Sequence, residues 1–247
     1  MKNIVFCLLL SLMLSSCDKD SSSEYLGNSS GSGVSGSTAT ILTYKGFIYT
    51  VDNNYLRTLS LLDPSHPVEV SSIFLGEGIE TIFAYEDHLY LGTRNGIQLY
   101  NISDGAKPVF TGNSFHFPAR DPVVVDGVLA YSTTNWGSED GNGGGTLSVI
   151  SVVNKNNPIT INQLNQEYPC GLGLSGDILY VCNARYGLNV YRTNSNGELN
   201  FIKNLPTDPV YDCIAYDKLL ICQTKTGIWL FNIVDKDNPV FVQRINN

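Results

Sequence analysis

The sequence is poor in the side chains that build catalytic, metal and nucleic-acid sites. Of its 247 residues only 3 are His and 15% are charged, and 15 Lys and Arg stand against 23 Asp and Glu, a formal net charge of −8. Because a chain without an excess of basic residues cannot neutralise phosphates, we expect no nucleic-acid partner. No Cys-x-x-Cys pair is present either, so we expect no metal and no cofactor.

Long hydrophobic runs are also missing, and the longest one stands at the amino terminus. Residues 4–14 are apolar except for Ser11 and follow Lys2. This run is too short for a membrane span, which needs about 20 residues, but it suits the apolar region of a secretory signal. Leu14-Ser15-Ser16-Cys17 then resembles a bacterial lipobox. The resemblance implies cleavage before Cys17 and acylation of that residue; the alternative is ordinary secretion with a chance cysteine.

The next residues indicate where the protein is held. Ser and Gly dominate residues 21–37, which is typical of a flexible tether. We therefore assign residues 1–16 to a signal peptide and residues 17–38 to the acylated Cys17 and its linker. Asp18-Lys19-Asp20 resembles the surface-export signal of lipoproteins in Bacteroidetes. That resemblance implies a lipid-anchored protein of the cell envelope, at the outer membrane and exposed on its surface, although in enterobacteria Asp18 would indicate retention at the inner membrane.

The rest of the chain repeats one unit of about 40 residues. The segment 89–110 parallels the segment 219–241, and in each a Pro follows a Gly by twelve residues. Apolar and polar residues alternate as they do in strands, and no segment has a sustained helical period. Units of this length with four short strands are typical of propeller blades. The register marks of the five units are Pro67, Pro108, Pro158, Leu199 and Pro239.

The sequence therefore predicts an all-β fold, a five-bladed β-propeller of four-stranded antiparallel blades over residues 39–247. The alternative is a β-sandwich or an open array. Because the first unit begins with its innermost strand and the last ends with its outermost strand, we expect no strand exchange between the termini and a ring closed by blade packing alone. The predicted units are 39–78, 79–118, 119–168, 169–208 and 209–247.

A family resemblance supports this architecture. The segment 227–240 resembles the bacterial LVIVD repeat, and residues 119–127 resemble the first strand of that repeat. The likeness extends over about residues 40–245 and is weakest in the fourth unit. It implies the propeller head of a surface lipoprotein, and it implies no particular activity.

Four cysteines lie in the predicted propeller. Opposed positions of a β-hairpin are close enough for a disulfide, and an exported protein meets conditions in which disulfides form. The alternative is that these cysteines are small buried side chains, because two of them occupy positions that Val, Gly and Ser fill in other units. The candidate pairs, each flanking a predicted hairpin turn, are Cys170 with Cys182 and Cys213 with Cys222.

Candidate binding residues gather on one face of the predicted propeller. In a four-stranded blade, the loops from the second to the third strand and from the fourth strand to the next blade emerge on the same side, which we call the upper face. Aromatic residues and Arg are typical of binding hot spots, and loops on a rigid frame often carry function. The predicted binding residues on this face are Arg94, His116, Arg120, Asp121, Trp136, Tyr168, Arg185 and Tyr186.

We therefore expect a membrane-anchored, exported propeller that binds a protein or glycan partner through its upper face. In an alternative role, Tyr168 fills a joint between blades. The alternative function is a hydrolase or lyase at the mouth of the central channel, as in some propeller enzymes. That function needs converging carboxylates and His, and His116, beside Arg120 and Asp121, is a candidate general base. We assign no catalytic residue.

Overall fold

A computed structural model describes residues 36–52, 54–76, 78–115, 122–136 and 144–246. Within these ranges the chain forms twenty strands in five antiparallel sheets, and the predicted five-bladed β-propeller is confirmed. None of the described residues forms a helix long and apolar enough to cross a membrane. The predicted residues that lie outside the described ranges are the signal peptide, Cys17, His116, Arg120 and Asp121.

Each blade consists of four consecutive strands that pair in chain order, so the described chain exchanges no strand between its ends, as predicted. The strands are, in blade 1, β1 (Ile41–Tyr44), β2 (Phe47–Asp52), β3 (Tyr55–Ser60) and β4 (Val68–Phe74); in blade 2, β5 (Ile79–Tyr85), β6 (His88–Thr93), β7 (Gly96–Asn101) and β8 (Val109–Phe115); in blade 3, β9 (Val123–Asp126), β10 (Leu129–Asn135), β11 (Gly144–Ser151) and β12 (Ile159–Glu167); in blade 4, β13 (Pro169–Ser175), β14 (Ile178–Asn183), β15 (Gly187–Thr193) and β16 (Leu199–Leu205); in blade 5, β17 (Val210–Tyr216), β18 (Leu219–Thr224), β19 (Gly227–Asn232) and β20 (Val240–Asn246).

On the face opposite the upper face, which we call the lower face, the same type of side chain stabilises a turn in every blade. In every blade, the loop from the third to the fourth strand contains an Asp or Asn whose Oδ1 accepts a hydrogen bond from the backbone N–H two residues later. This bond stabilises the turn locally, which is why these residue types favour turns. The five side chains, all predicted to form turns, are Asp63, Asp104, Asn154, Asn194 and Asp235.

Tyrosines at one position of the second strand join neighbouring blades. Tyr49 of blade 1 donates a 2.9 Å hydrogen bond to the carbonyl of Gly105 in blade 2. Tyr180 of blade 4 donates an equivalent 2.9 Å bond to the carbonyl of Lys236 in blade 5. Each tyrosine ring therefore packs in the joint between two neighbouring blades, and its hydroxyl reaches a lower-face turn of the following blade. The tyrosines that share this position, all of them buried, are Tyr49, Tyr90, Tyr131 and Tyr180.

Hydrophobic cores fill four of the five joints. One cluster joins blades 1 and 2, a second joins blades 2, 3 and 4, and a third joins blades 4 and 5. No corresponding cluster of described residues joins blade 5 to blade 1. Ile41 of blade 1 is 57% exposed there, whereas its counterparts in blades 2, 3 and 4 are fully buried (Ile82, Val123 and Leu172).

The face of blade 5 that turns towards blade 1 is uncovered in the same way. Ile221 takes the position of the joint tyrosines and is only half-buried. Leu230, opposite Ile221 on β19, is half-buried as well, although the equivalent Leu99 of blade 2 is fully buried. The expectation that packing between blades alone closes the ring is therefore wrong for this joint.

A turn before β1, which we call the clasp turn (Gly36–Ala39), bridges the joint between blades 5 and 1. Ser37 is buried, and its Oγ donates a 2.9 Å hydrogen bond to Asp212 Oδ1 on β17. The same Oγ accepts a 2.6 Å bond from the backbone N–H of Leu172 on β13. Thr38 Oγ1 donates a 2.7 Å bond to Asp212 Oδ2.

The other end of the clasp turn is bonded to the opposite side of the ring. Its Ala39 carbonyl accepts a 2.8 Å bond from the N–H of Ile82 on β5. The innermost strands of blades 2, 4 and 5 therefore all contact four consecutive residues. Residues 36–38 fall within the predicted linker, yet they make these contacts inside the propeller.

The cysteines pack at the joint between blades 4 and 5 as thiols. Cys213 and Cys222 lie opposite each other on β17 and β18, as predicted, but all four cysteines are free. Cys170 lies in a bulge of β13 and is not aligned with Cys182. Burial raises the pKa of Cys182 to about 12. In this structure the four cysteines pack as small side chains in a core, which is the alternative to the predicted disulfides.

Candidate binding site on the upper face

Three connections meet at the upper corner between blades 3 and 4. The β10–β11 loop carries Trp136, β12 and β13 are connected by Tyr168 alone, and the β14–β15 turn carries Arg185 and Tyr186. All four residues are among those that the sequence predicts for the upper face. We call these four residues the corner site.

Tyr168 is held in a backbone conformation that aromatic residues rarely adopt. Its φ is 48°, in the left-handed region. The other described non-glycine residues with positive φ lie in hairpin turns, where that conformation is ordinary: Lys45, Glu86 and Asp217. The N–H of Ala184 donates a 3.0 Å hydrogen bond to the Tyr168 carbonyl and fixes this connection to the neighbouring turn. A strained residue held by its surroundings is typical of functional sites.

The Arg185 guanidinium lies against two tyrosine rings. Its Cζ is 5.3 Å from the ring centroid of Tyr168 and 5.5 Å from that of Tyr186. Its Nη1 donates a 3.1 Å hydrogen bond to the Tyr168 hydroxyl, and the two rings meet edge to face with centroids 6.4 Å apart. An exposed contact between a cation and an aromatic ring contributes about 0.5–1 kcal/mol. Together these contacts order the three side chains without a ligand.

Asn183, at the end of β14, organises the backbone beneath this stack. Its Oδ1 accepts hydrogen bonds of 2.8 Å and 2.7 Å from the N–H groups of Arg185 and Tyr186. Its Nδ2 donates to the carbonyl of Glu167, so one buried side chain fastens both connections. This role of Asn183 is not among the predictions made from the sequence. The available signal is an Asn at a strand end, where its side chain can bond the backbone of the turn that follows.

Trp136, in the β10–β11 loop, is 54% exposed. The preceding Asn135 donates a 3.1 Å bond from Nδ2 to the carbonyl of Pro169, which directly follows Tyr168. The bond brings the two aromatic residues to the same corner. The indole lies on Gly144, where an added Cβ would stand 3.1 Å from the indole Nε1. A side chain at position 144 would therefore shift the indole by a few tenths of an ångström.

Other residues considered in the sequence analysis lie away from the corner site. Arg94 is on the upper face, but in blade 2, where its Nε lies 3.8 Å from Glu80 Oε1. Within the described ranges, no contact links Arg94 to the corner site. His66 and His88 lie at turns of the lower face, as predicted, and His66 contacts Asp63.

The clasp turn occupies the place where the alternative enzymatic function would have its site. It lies among the innermost strands at their upper ends, with Asp212 as the adjacent carboxylate. Burial raises the pKa of Asp212, even though the hydroxyls of Ser37 and Thr38 donate to it. No three His, Cys, Asp or Glu side chains are grouped to hold a metal ion in the part of the chain that the structure describes.

An open pocket of about 420 Å³ lies on the lower face between blades 3 and 4. The sequence analysis does not predict it. Its one aromatic lining residue, Tyr131, belongs to the joint between the two blades. The pocket is lined by Asp126, Tyr131, Asp177, Thr193 and Ser195, among others.

Comparison with known proteins relates the chain to other structures by fold. No family model matches it, and no curated protein does. A functionally unknown protein from Desulfotomaculum acetoxidans DSM 771 has a TM-score of 0.61 at 16% identity, covering 81% of this chain and 68% of its own. A hypothetical selenium-binding protein from Sulfolobus tokodaii has a TM-score of 0.60 at 11% identity, with 82% and 59% covered.

A designed protein shows the same likeness. The computationally designed Ika8 protein has a TM-score of 0.57 at 10% identity, and the match covers 78% of this chain and 57% of the designed one. This chain therefore spans less than two thirds of the designed protein and of the selenium-binding protein. At such low identities these similarities show the shared propeller fold alone.

Proposed function

We propose that this protein is a lipid-anchored, exported binding module whose upper face, centred on the corner site, binds a protein or glycan partner. The observation that carries the proposal is the stack of Tyr168, Arg185 and Tyr186, which is ordered and open to solvent. Aromatic residues and Arg supply most of the binding energy at many interfaces. A stack that is already ordered loses little conformational entropy when a partner binds.

The anchored location is supported by the lipobox-like residues before Cys17 and by the resemblance of the blades to the LVIVD repeat of surface lipoproteins. Two or three acyl chains on Cys17 would hold the propeller stably at a membrane. Growth with labelled palmitate tests this part of the proposal. The wild-type chain should take up label and remain with membranes, whereas Cys17→Ala should do neither. Labelled Cys17→Ala protein would contradict the anchor.

The binding role is tested with the full chain carrying Cys17→Ala, applied to an array of purified surface proteins and glycans. A second version adds Trp136→Ala and Tyr186→Ala, which remove two exposed rings of the corner site. The control adds Tyr216→Ala instead, because Tyr216 is 52% exposed on the lower face, compared with 46% for Tyr186.

We expect the double substitution to weaken binding to the recognised ligands at least tenfold and the Tyr216 control to bind like its parent. Circular dichroism and urea unfolding verify that all versions are folded. Ligands that bind the doubly substituted chain as tightly as the parent would place the binding surface elsewhere. An array on which the parent binds nothing would refute the binding role itself.

A further inference from the structure

Arg185 differs from most described arginines because none of the described Asp and Glu side chains is its partner. Arg57, Arg94 and Arg192 each lie within 4.0 Å of at least one Asp or Glu oxygen. Among the described residues, Arg185 contacts aromatic rings and a phenol hydroxyl instead. In a chain with more acidic than basic residues, an exposed arginine without an acidic neighbour is a candidate for an acidic ligand.

The stack also leaves part of the guanidinium available. Nη1 is occupied by the Tyr168 hydroxyl, while Nε and Nη2 have no acceptor within the described ranges. Two tyrosine rings and the Tyr168 hydroxyl hold the guanidinium, and these contacts restrict the direction of its remaining donors. A fixed pair of N–H donors matches the two oxygens of a carboxylate, and such charge-assisted pairs are stronger than neutral hydrogen bonds.

Resting on the proposed function, we propose that the corner site binds a glycan through a sugar that carries a carboxylate, a uronic acid. Nε and Nη2 of Arg185 hold the carboxylate, and the exposed ring of Tyr186 or Trp136 packs against the apolar face of the sugar. Arg185 is then the residue that distinguishes an acidic sugar from its neutral ester.

Two features favour a glycan over other anions. The corner site is an open surface with flat, exposed rings at Trp136 and Tyr186. Such a surface suits the face of a pyranose ring better than a side chain of a protein partner, which would need a pocket in which to be buried. The formal charge of −8 disfavours nucleic acids and other densely charged polyanions, because the whole molecule repels them. A single carboxylate that is read by one arginine meets less of this repulsion.

The test uses the full chain with Cys17→Ala and neutral oligosaccharides that each carry one galacturonic, glucuronic, mannuronic or guluronic acid residue. Each is measured by calorimetry beside its methyl ester, which has the same ring but no charge. We expect at least one acid to bind about ten times more tightly than its ester, the scale of one charge-assisted hydrogen bond. Arg185→Gln should abolish this preference, because it weakens binding of the acid much more than binding of the ester.

Arg244→Gln is the matched control, because Arg244 also lies over an aromatic ring, 5.9 Å from the centroid of Trp229, but on the outer strand of blade 5. It should keep the preference for the acid. Equal binding of acid and ester, no binding of any acid, or a preference that survives Arg185→Gln would each overturn the inference. Tighter binding of an oligoglutamate peptide than of every uronide would overturn it too.

Failure of this inference can be told apart from failure of the proposed function. A chain that binds neutral glycans or proteins, and loses them with Trp136→Ala and Tyr186→Ala, remains a binding module whose ligand is not acidic. A chain that binds nothing on the array fails both.

Discussion

Single tyrosines decide how one blade meets the next. Tyr49 and Tyr180 bury their rings and still satisfy their hydroxyls on the backbone of the following blade. The hydroxyl of Tyr90 is equally buried but has no hydrogen-bond partner among the described residues. Because a buried polar group costs free energy unless it is bonded, the same residue type contributes differently at two joints.

Substitution with phenylalanine should reveal this difference. Tyr180→Phe should lower the free energy of unfolding by about 1 kcal/mol, because the Lys236 carbonyl loses its donor. Tyr90→Phe should leave that free energy unchanged or raise it, because it removes an unsatisfied buried hydroxyl. Urea unfolding of both variants checks the expectation, and equal losses would speak against it.

Asp212 should make the stability of the propeller depend on pH. Burial raises its pKa in the folded state above the ordinary value of 3.8. Between these two pKa values the folded chain binds more protons than the unfolded chain, so stability rises as the pH falls through this interval and declines as the pH rises through it.

The variant Asp212→Asn cannot titrate and should lack this dependence. Urea unfolding at several values between pH 7 and pH 4 gives the difference in unfolding free energy between wild type and variant. We expect this difference to shift in favour of the wild type on acidification. A difference that stays constant with pH would show that Asp212 titrates alike in both states.

The sequence predicts which residues form the corner site, but not how they touch. Strand order alone determines that the loops of Trp136, Tyr168, Arg185 and Tyr186 emerge on one face. The contact of Arg185 with Tyr168 depends on a connection of one residue with φ near 48°, and no local sequence pattern indicates that conformation for a tyrosine. The role of Asn183 is hidden for the same reason, since its partners belong partly to another blade.

Strands and turns follow from the sequence more completely. The repeated proline spacing and the Asp or Asn of each lower-face turn predict four strands per blade, and the structure has them. The uncovered faces of blades 1 and 5 are not predictable in this way. Ile221 and Leu230 stand at apolar positions of an alternating sequence pattern, as their buried counterparts in other blades do. This pattern is the same whether or not another sheet covers the apolar side.

Two leucines at equivalent positions test the uncovered face. Leu99→Ala should cost about 2–5 kcal/mol, the usual loss for a fully buried leucine. Leu230→Ala should cost clearly less, about 1 kcal/mol, because only part of its side chain is removed from water. Urea unfolding measures both. Equal costs would mean that blade 5 is packed against blade 1 in solution.

At the scale of the whole molecule, the clasp turn stabilises the joint between blades 5 and 1, which lacks a core. Ser37→Ala removes the donor to Asp212 and leaves the N–H of the fully buried Leu172 without its acceptor. We expect a loss of about 1–3 kcal/mol in unfolding free energy, the cost of an unsatisfied buried group. Thr38→Ala is the control, because Thr38 is exposed and its loss should cost less.

Hydrogen exchange locates the effect of Ser37→Ala. Amides of β1, β13 and β17 should exchange faster than in the wild type, while those of β9 to β11 in blade 3 keep their protection, because only the bridged strands lose a contact. Uniformly faster exchange in all five blades would mean that the turn stabilises the propeller as a whole and not this joint.

The position of the clasp turn would have a mechanical consequence in the lipid-anchored protein that we propose. Tension on the tether would reach the propeller at Gly36, at the hub, where bonds to β5, β13 and β17 would share the load. The last strand, β20, has only exposed residues and could separate from β19 one hydrogen bond at a time, but the pull would not act on it. A force on a bound partner would therefore load the hydrogen bonds of the clasp turn at the centre of the propeller, and the outer strands would carry none of it.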